Sequence, residues 1–125
     1  MLISETQKAV HELAKEKGWH DADQPRTDGD CIALMHSELS EALEEIRNDR
    51  PPVYQRHSTV QNIILPGGDG WSLRMKPEGT LIELADCVIR IMDYCGKKGW
   101  QLDHAIALKH AYNRTRPYRH GGKKL

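Results

Sequence analysis

The chain has no net charge, no cysteines at C-x-x-C spacing, no low-complexity block and no apolar run of membrane-spanning length. Each absence excludes something. Cys31, Cys87 and Cys95 are odd in number and keep no zinc spacing with the histidines, so neither a disulfide framework nor a structural zinc site is expected. Nowhere do about eighteen apolar residues follow one another, and Met1-Leu-Ile-Ser leads into no long apolar stretch. Neither a membrane span nor a signal peptide is expected, and the protein is read as cytoplasmic with reduced, packed thiols. Asn113-Arg-Thr matches a glycosylation acceptor, which without secretion is a chance match. A chain of 125 residues suits one domain spanning 1–125 with a real core.

The balanced total conceals a segregation. Residues 1–96 carry 10 Lys and Arg against 17 Asp and Glu, a net of −7, while residues 97–125 carry 8 against 1, a net of +7. An acidic body with a basic end suits an anionic ligand held between metal and cations, or a tail that touches nucleic acid.

Hydrophobic periodicity predicts an all-α fold, an antiparallel helical bundle of about four helices. Ser4 and Gln7 form a capping-box pattern with Ile3 outside it, so a first helix is expected from Ser4 to the stop at Gly18. Ile32, Met35, Leu39, Ala42 or Leu43, and Ile46 mark a second helix from about Cys31 to Arg47, with Asp28 or Asp30 as its cap. Pro51 and Pro52 end that segment. An insertion over about 52–79 follows. In it, Thr59–Leu65 and Trp71–Met75 read as strands of a short hairpin around Pro66–Gly70. A third helix from about Thr80 to Cys95 carries two adjoining apolar stripes, Leu81, Leu84, Val88, Ile91 and Cys95 beside Ile82, Ala85, Ile89 and Met92. That width predicts burial against another chain, so the bundle is expected to be completed by oligomerisation. After a turn at Gly96–Trp100, a last helix is expected with Asp103 as cap and Ile106, Ala107 and Ala111 packing inward. Pro117 ends it, leaving a basic tail over 117–125.

The residues that carry chemistry sit on the second and third helices. Glu38 and Glu41 are three residues apart, about 60° around a helix and one turn along it, on the border of the apolar stripe. Glu83 and Asp86 repeat the spacing on a helix that is apolar almost all round. An unpaired carboxylate against a core costs several kcal/mol or takes up a proton. Two such pairs therefore point to a shared cation. Oxygen donors without matched cysteine or histidine favour Mg²⁺ or Mn²⁺ over zinc, and Mg²⁺ commonly completes its octahedron with substrate phosphates. A di-iron bundle would need Glu-x-x-His, and the residues three before His11, His20, His36, His57, His104, His110 and His120 are never glutamate. Glu44 and Glu45 read as a solvated face. Lys109, Asn113 and Arg116, at i, i+4 and i+7, share a face of the last helix.

The string Ala33-Leu-Met-His-Ser-Glu-Leu-Ser-Glu-Ala-Leu-Glu-Glu, followed by Ile82-Glu-Leu-Ala-Asp-Cys-Val-Ile-Arg-Ile-Met-Asp, resembles the MazG-like all-α nucleoside triphosphate pyrophosphohydrolases, whose hallmark is E-x-x-E on one helix and E-x-x-D on the next. Lys109-His-Ala-Tyr-Asn-Arg-Thr-Arg-Pro-Tyr118 is similar to that family's C-terminal helix, where a lysine and an asparagine face the triphosphate. The likeness covers roughly residues 5–120 apart from 52–79, which is longer than the family's usual loop. It implies Mg²⁺-dependent hydrolysis of a (deoxy)nucleoside triphosphate to the monophosphate and pyrophosphate, serving nucleotide-pool housecleaning, by a homodimer or homotetramer. In that scheme Glu38, Glu41, Glu83 and Asp86 hold metal, Glu38 or Glu41 takes a proton from the attacking water, and Lys109, Asn113 and Arg116 neutralise the triphosphate, with Arg119 as a further cation. Trp19 stacks on a base or anchors packing, and Tyr118 touches the nucleotide or packs. The rival reading is a non-enzymatic helical oligomer binding nucleic acid through its basic tail, which leaves the acidic pairs unexplained.

Overall fold

The computed structural model describes residues 2–56, 63–122 and 124. Four main helices, α1 (Ile3–Glu16), α2 (Asp28–Arg47), α3 (Thr80–Lys98) and α4 (Leu102–Thr115), are followed by a single turn, α5 (Arg119–Gly122). The only strands among the described residues are β1 (Gln55–Arg56) and β2 (Ile63–Ile64). The class is all-α, as the periodicity predicts. Two compact units divide the chain, one of Met1–Trp19 with Met92–Leu125 and one of His20–Ile91. No described helix is long and apolar enough to cross a membrane.

In the first unit, α1 packs against α4. The start of α1 lies ahead of Ser4. Leu2, not Ser4, is the extended cap residue and its N–H donates to the Glu5 carboxylate at 3.4 Å, so the reciprocal half of a capping box comes from Glu5 rather than from Gln7. Gly18, at φ +85°, ends the helix as expected, with the Trp19 N–H returning to the Ala14 carbonyl. The Gln7 amide donates to the Trp100 carbonyl at 2.8 Å, and His11 Nδ1 lies 2.8 Å from Asp93 Oδ1. Gly96 is helical, not part of a turn. A Cβ there would come within 2.6 Å of the His11 ring, so its smallness seats α1 on α3, and Gly99 at φ +70° takes over as the helix stop. Gln101, not Asp103, caps α4. Ile106, Ala107 and Ala111 are exposed rather than turned inward, and α4 buries no residue within this single chain. The tail past Pro117 is in part the turn α5.

In the second unit, α2 begins one turn earlier than its apolar pattern. Thr27 Oγ1 accepts the Asp30 N–H at 3.0 Å, and the Asp30 carboxylate accepts the Thr27 N–H at 2.9 Å, a full capping box. Those hydrogen bonds hold the Asp30 carboxyl below its ordinary value. The insertion is a fitted piece of this unit. Its strand pair is antiparallel with Gln55 opposite Ile64 and Arg56 opposite Ile63, so β1 replaces Trp71–Met75 as the partner strand. Residues 59–62 of the expected first strand lie outside the described residues. Trp71–Met75 is instead a turn pinned by Gln55, whose fully buried side chain donates to the Ser72 and Met75 carbonyls at 2.7 and 3.0 Å and accepts from the Ser72 N–H at 3.0 Å. No periodicity announces a side-chain clamp of that kind. Tyr54, also fully buried, exchanges backbone hydrogen bonds with Glu78 at 2.9 and 2.8 Å. Its hydroxyl donates to Glu45 at 2.7 Å, so Glu45 belongs to a packed network and not to a solvated face. The chain then enters α3 through Gly79, at φ +118°, where a Cβ would lie 2.3 Å from the Pro52 carbonyl oxygen. That carbonyl accepts the Leu81 N–H at 3.0 Å. The far end of α2 and the first turn of α3 are thereby tied through the insertion.

Candidate functional site

The site is built on the two faces that carry the paired acids. Ala42 on α2 and Cys87 on α3 are buried, and the Cys87 thiol donates to the Met35 carbonyl at 3.5 Å, which sets the helices close along the Glu38 and Glu83 stripes. Glu38 and Glu83 are buried and Asp86 is half-buried. One carboxylate oxygen from each of the three falls within 4.8 Å of the others. Glu41 lies toward solvent, near enough to Glu38 and Glu83 for its carboxyl to act on the titration of both. All four acids singled out in the sequence therefore meet in the second unit.

Their protonation follows from this crowding. Burial and the nearby Glu41 and Glu38 carboxylates push Glu83 up from 4.5 to about 7. Burial pushes Glu38 in the same direction, but the guanidinium of Arg90 and the hydrogen bonds from Glu41 and Glu83 outweigh it, and Glu38 ends below its ordinary value. Burial and Glu38 raise Asp86, with Arg90 and Lys76 opposing them. Arg90 Nε donates to Glu38 Oε1 at 2.7 Å. Arg90 and Lys76 are the cations that sequence reasoning passed over. Arg90 had a signal, because it stands one turn beyond Asp86 at i, i+4 on the same face of α3. Lys76 had none, since it comes from the insertion.

Three oxygen donors lie within 4.8 Å of one another, and burial together with the neighbouring carboxylates raises one of the carboxyls to about 7. The local cations do not balance the cluster. Glu38, Glu83 and Asp86 could together hold a metal ion.

The residues assigned to substrate belong to the first unit. Lys109 Nζ stands 5.0 Å from the centre of the Tyr112 ring and the Arg116 guanidinium 5.8 Å, so each cation lies against the same aromatic ring. Arg116 does not continue the helical i+7 alignment. It lies past Thr115 with an extended backbone, the conformation that Pro117 imposes on its neighbour. Asn113, Trp19 and Tyr118 are exposed, and the Arg119 guanidinium covers the Tyr118 ring at 5.6 Å. A depression of about 370 Å³ in the same unit is lined by Gln7, Lys8, His11, Lys15 and Gln101 among others, and holds none of the four acids. Its lysines are the solvated flank of α1.

Compared with known proteins, the chain matches no family model, no curated protein and no solved structure.

Proposed function

We propose that the protein is a Mg²⁺-dependent nucleoside triphosphate pyrophosphohydrolase of MazG-like type, acting on a (deoxy)nucleoside triphosphate in nucleotide-pool housecleaning. The observation that carries this reading is the convergence of Glu38, Glu83 and Asp86 within 4.8 Å, with the exposed Glu41 beside them. It is the arrangement that the two E-x-x-E/D motifs imply. Glu38, Glu41, Glu83 and Asp86 would hold the metal, which when bound supplies Lewis-acid polarisation of the phosphates. Glu38 or Glu41 receives the proton of the attacking water. The assignment of Lys109, Asn113 and Arg116 to the triphosphate, of Tyr118 to the nucleotide and of Trp19 to the base comes from the resemblance and from the positive balance of residues 97–125. The same reading makes the protein a homodimer or homotetramer.

The test is release of pyrophosphate by the full chain across ordinary and modified nucleoside triphosphates, with and without Mg²⁺. Glu41→Gln removes a charge and little volume from an exposed position, so it should abolish turnover and leave the fold intact. Near-normal activity of that variant in saturating Mg²⁺ removes the four acids from the mechanism. The competing reading, a non-enzymatic helical oligomeric module binding nucleic acid through its basic C-terminal tail, draws on the positive balance of residues 97–125. Salt-sensitive DNA binding with no pyrophosphate release would establish it instead.

A further inference from the structure

We propose that Arg90 is the resident counter-ion of the carboxylate site, holding Glu38 in the metal-free protein and giving it up when a divalent cation binds. The inference rests on the reading of the four acids as a metal site and concerns a residue to which neither motif assigns a role. Glu83, Asp86 and Arg90 stand at i, i+3 and i+7 on α3, one face of one helix, so the guanidinium is delivered to the cluster by the element that carries two of its acids.

The contact is asymmetric in a way that suits exchange. The Arg90 side chain is 34% exposed and the Glu38 side chain 8%, so the carboxylate is fixed inside while the cation sits at the mouth with an outlet to water. Arg90 meets Glu38 through Nε at 2.7 Å. It stabilises a buried negative charge that would otherwise stand among other acids. A divalent ion brings twice the charge to the same oxygens and repels the guanidinium. Glu38 cannot leave, being buried in α2, whereas Arg90 can swing on a flexible stem. Once released, its planar donor fork is suited to a phosphate oxygen pair.

A purely structural Arg90, tying α3 to α2, behaves differently in three measurements on the full chain. In calorimetric titration at pH 8, Arg90→Gln should bind Mn²⁺ roughly tenfold more tightly than the wild type, the scale of one charge-assisted hydrogen bond that no longer has to be displaced. Without metal, Arg90→Gln should melt below the wild type, because Glu38 loses its compensation, and the gap should close in saturating Mn²⁺. In the wild-type chain, the ¹⁵N-resolved Arg90 Nε–H signal should move to that of a solvated arginine as Mg²⁺ is added, a readout that needs no variant. Equal or weaker Mn²⁺ binding by Arg90→Gln, a melting gap that persists with metal, or an Nε–H signal unmoved at Mg²⁺ saturation each overturns the exchange while leaving the metal site standing. Absence of Mn²⁺ binding in both wild type and variant overturns the metal-site reading and this inference together.

Discussion

Replacing Glu83 with glutamine should stabilise the metal-free protein at alkaline pH, by an amount set by the carboxyl's environment. Glu83 is held at about 7 against an ordinary 4.5, so folding takes up a proton between those values. Its contribution to stability is complete below about pH 4.5 and is lost as pH rises through 7. A displacement of about 2.5 units at about 1.36 kcal/mol each amounts to roughly 3 kcal/mol. Glutamine keeps the volume and a hydrogen-bond donor for Glu38 and Glu41, and never ionises. Urea unfolding in EDTA should therefore find Glu83→Gln and wild type alike near pH 4. At pH 8 the variant should be more stable by about 3 kcal/mol, a midpoint shift of roughly 1–3 M. Glu38 does not confuse the assay. Its carboxyl is lowered, so its stabilisation is lost only as pH falls below 4.5, outside the window of Glu83. Asp86, raised from 3.8, adds a slope of the same sign to both proteins. Parallel stability curves for variant and wild type between pH 4 and 8 would refute the claim that crowding of the acids strains this cluster. The same variant should bind Mn²⁺ weakly, since the charge that destabilises the empty site is the one a cation needs.

Lys109→Ala should lower kcat/KM for the best nucleotide roughly ten- to a hundredfold, the cost of one charge-assisted contact to phosphate, with little change in melting temperature because Lys109 is exposed. Equal loss of activity and melting temperature would assign Lys109 a structural role, and unchanged kinetics would take it out of the site. Light scattering should report an oligomer at micromolar concentration, because Leu81, Leu84, Val88 and Ile89 of α3 and Leu39, Leu43 and Ile46 of α2 are each more than 40% exposed in the single chain. A stable monomer would leave that apolar surface without a partner and count against the assembly.

What the sequence made legible was periodic. The apolar stripes locate α2 and α3 because burial acts along whole helix faces, and the acid pairs on those stripes are the acids that meet in space. Helix starts were less legible, since they are decided by single hydrogen bonds. Thr27 caps α2 four residues ahead of Cys31, in a box with Asp30, where no apolar residue marks the start. Gly96 looks like a stop from composition, yet it is a seat for His11, and only the distance to that ring distinguishes the two. The insertion was the least legible part. Trp71–Met75 has strand-like composition, but three hydrogen bonds from the Gln55 side chain hold it as a turn. Such a clamp joins residues far apart in the chain and leaves no local signature.

The site shows the same division between face and partner. Spacing alone places Glu38 with Glu41 and Glu83 with Asp86, but it cannot say which carboxyl keeps a proton, because that depends on what each acid meets across the helix pair. Arg90 holds Glu38 below its ordinary value against the effect of burial, whereas burial and two neighbouring carboxylates push Glu83 up to about 7. Two acids of one type, similarly buried, are thus driven apart by one cation contributed by the opposite helix. The consequence reaches back to the second helix of the sequence: Glu45, one turn beyond Glu41, accepts the Tyr54 hydroxyl and so anchors the insertion that fixes the start of α3. The spacing of the acids is therefore set at two points of α2, in its middle by the ion pair of Glu38 and near its C-terminus by the tyrosine contact of Glu45. A perturbation at Tyr54 should reach Glu83 only through backbone position, while one at Arg90 reaches it through charge.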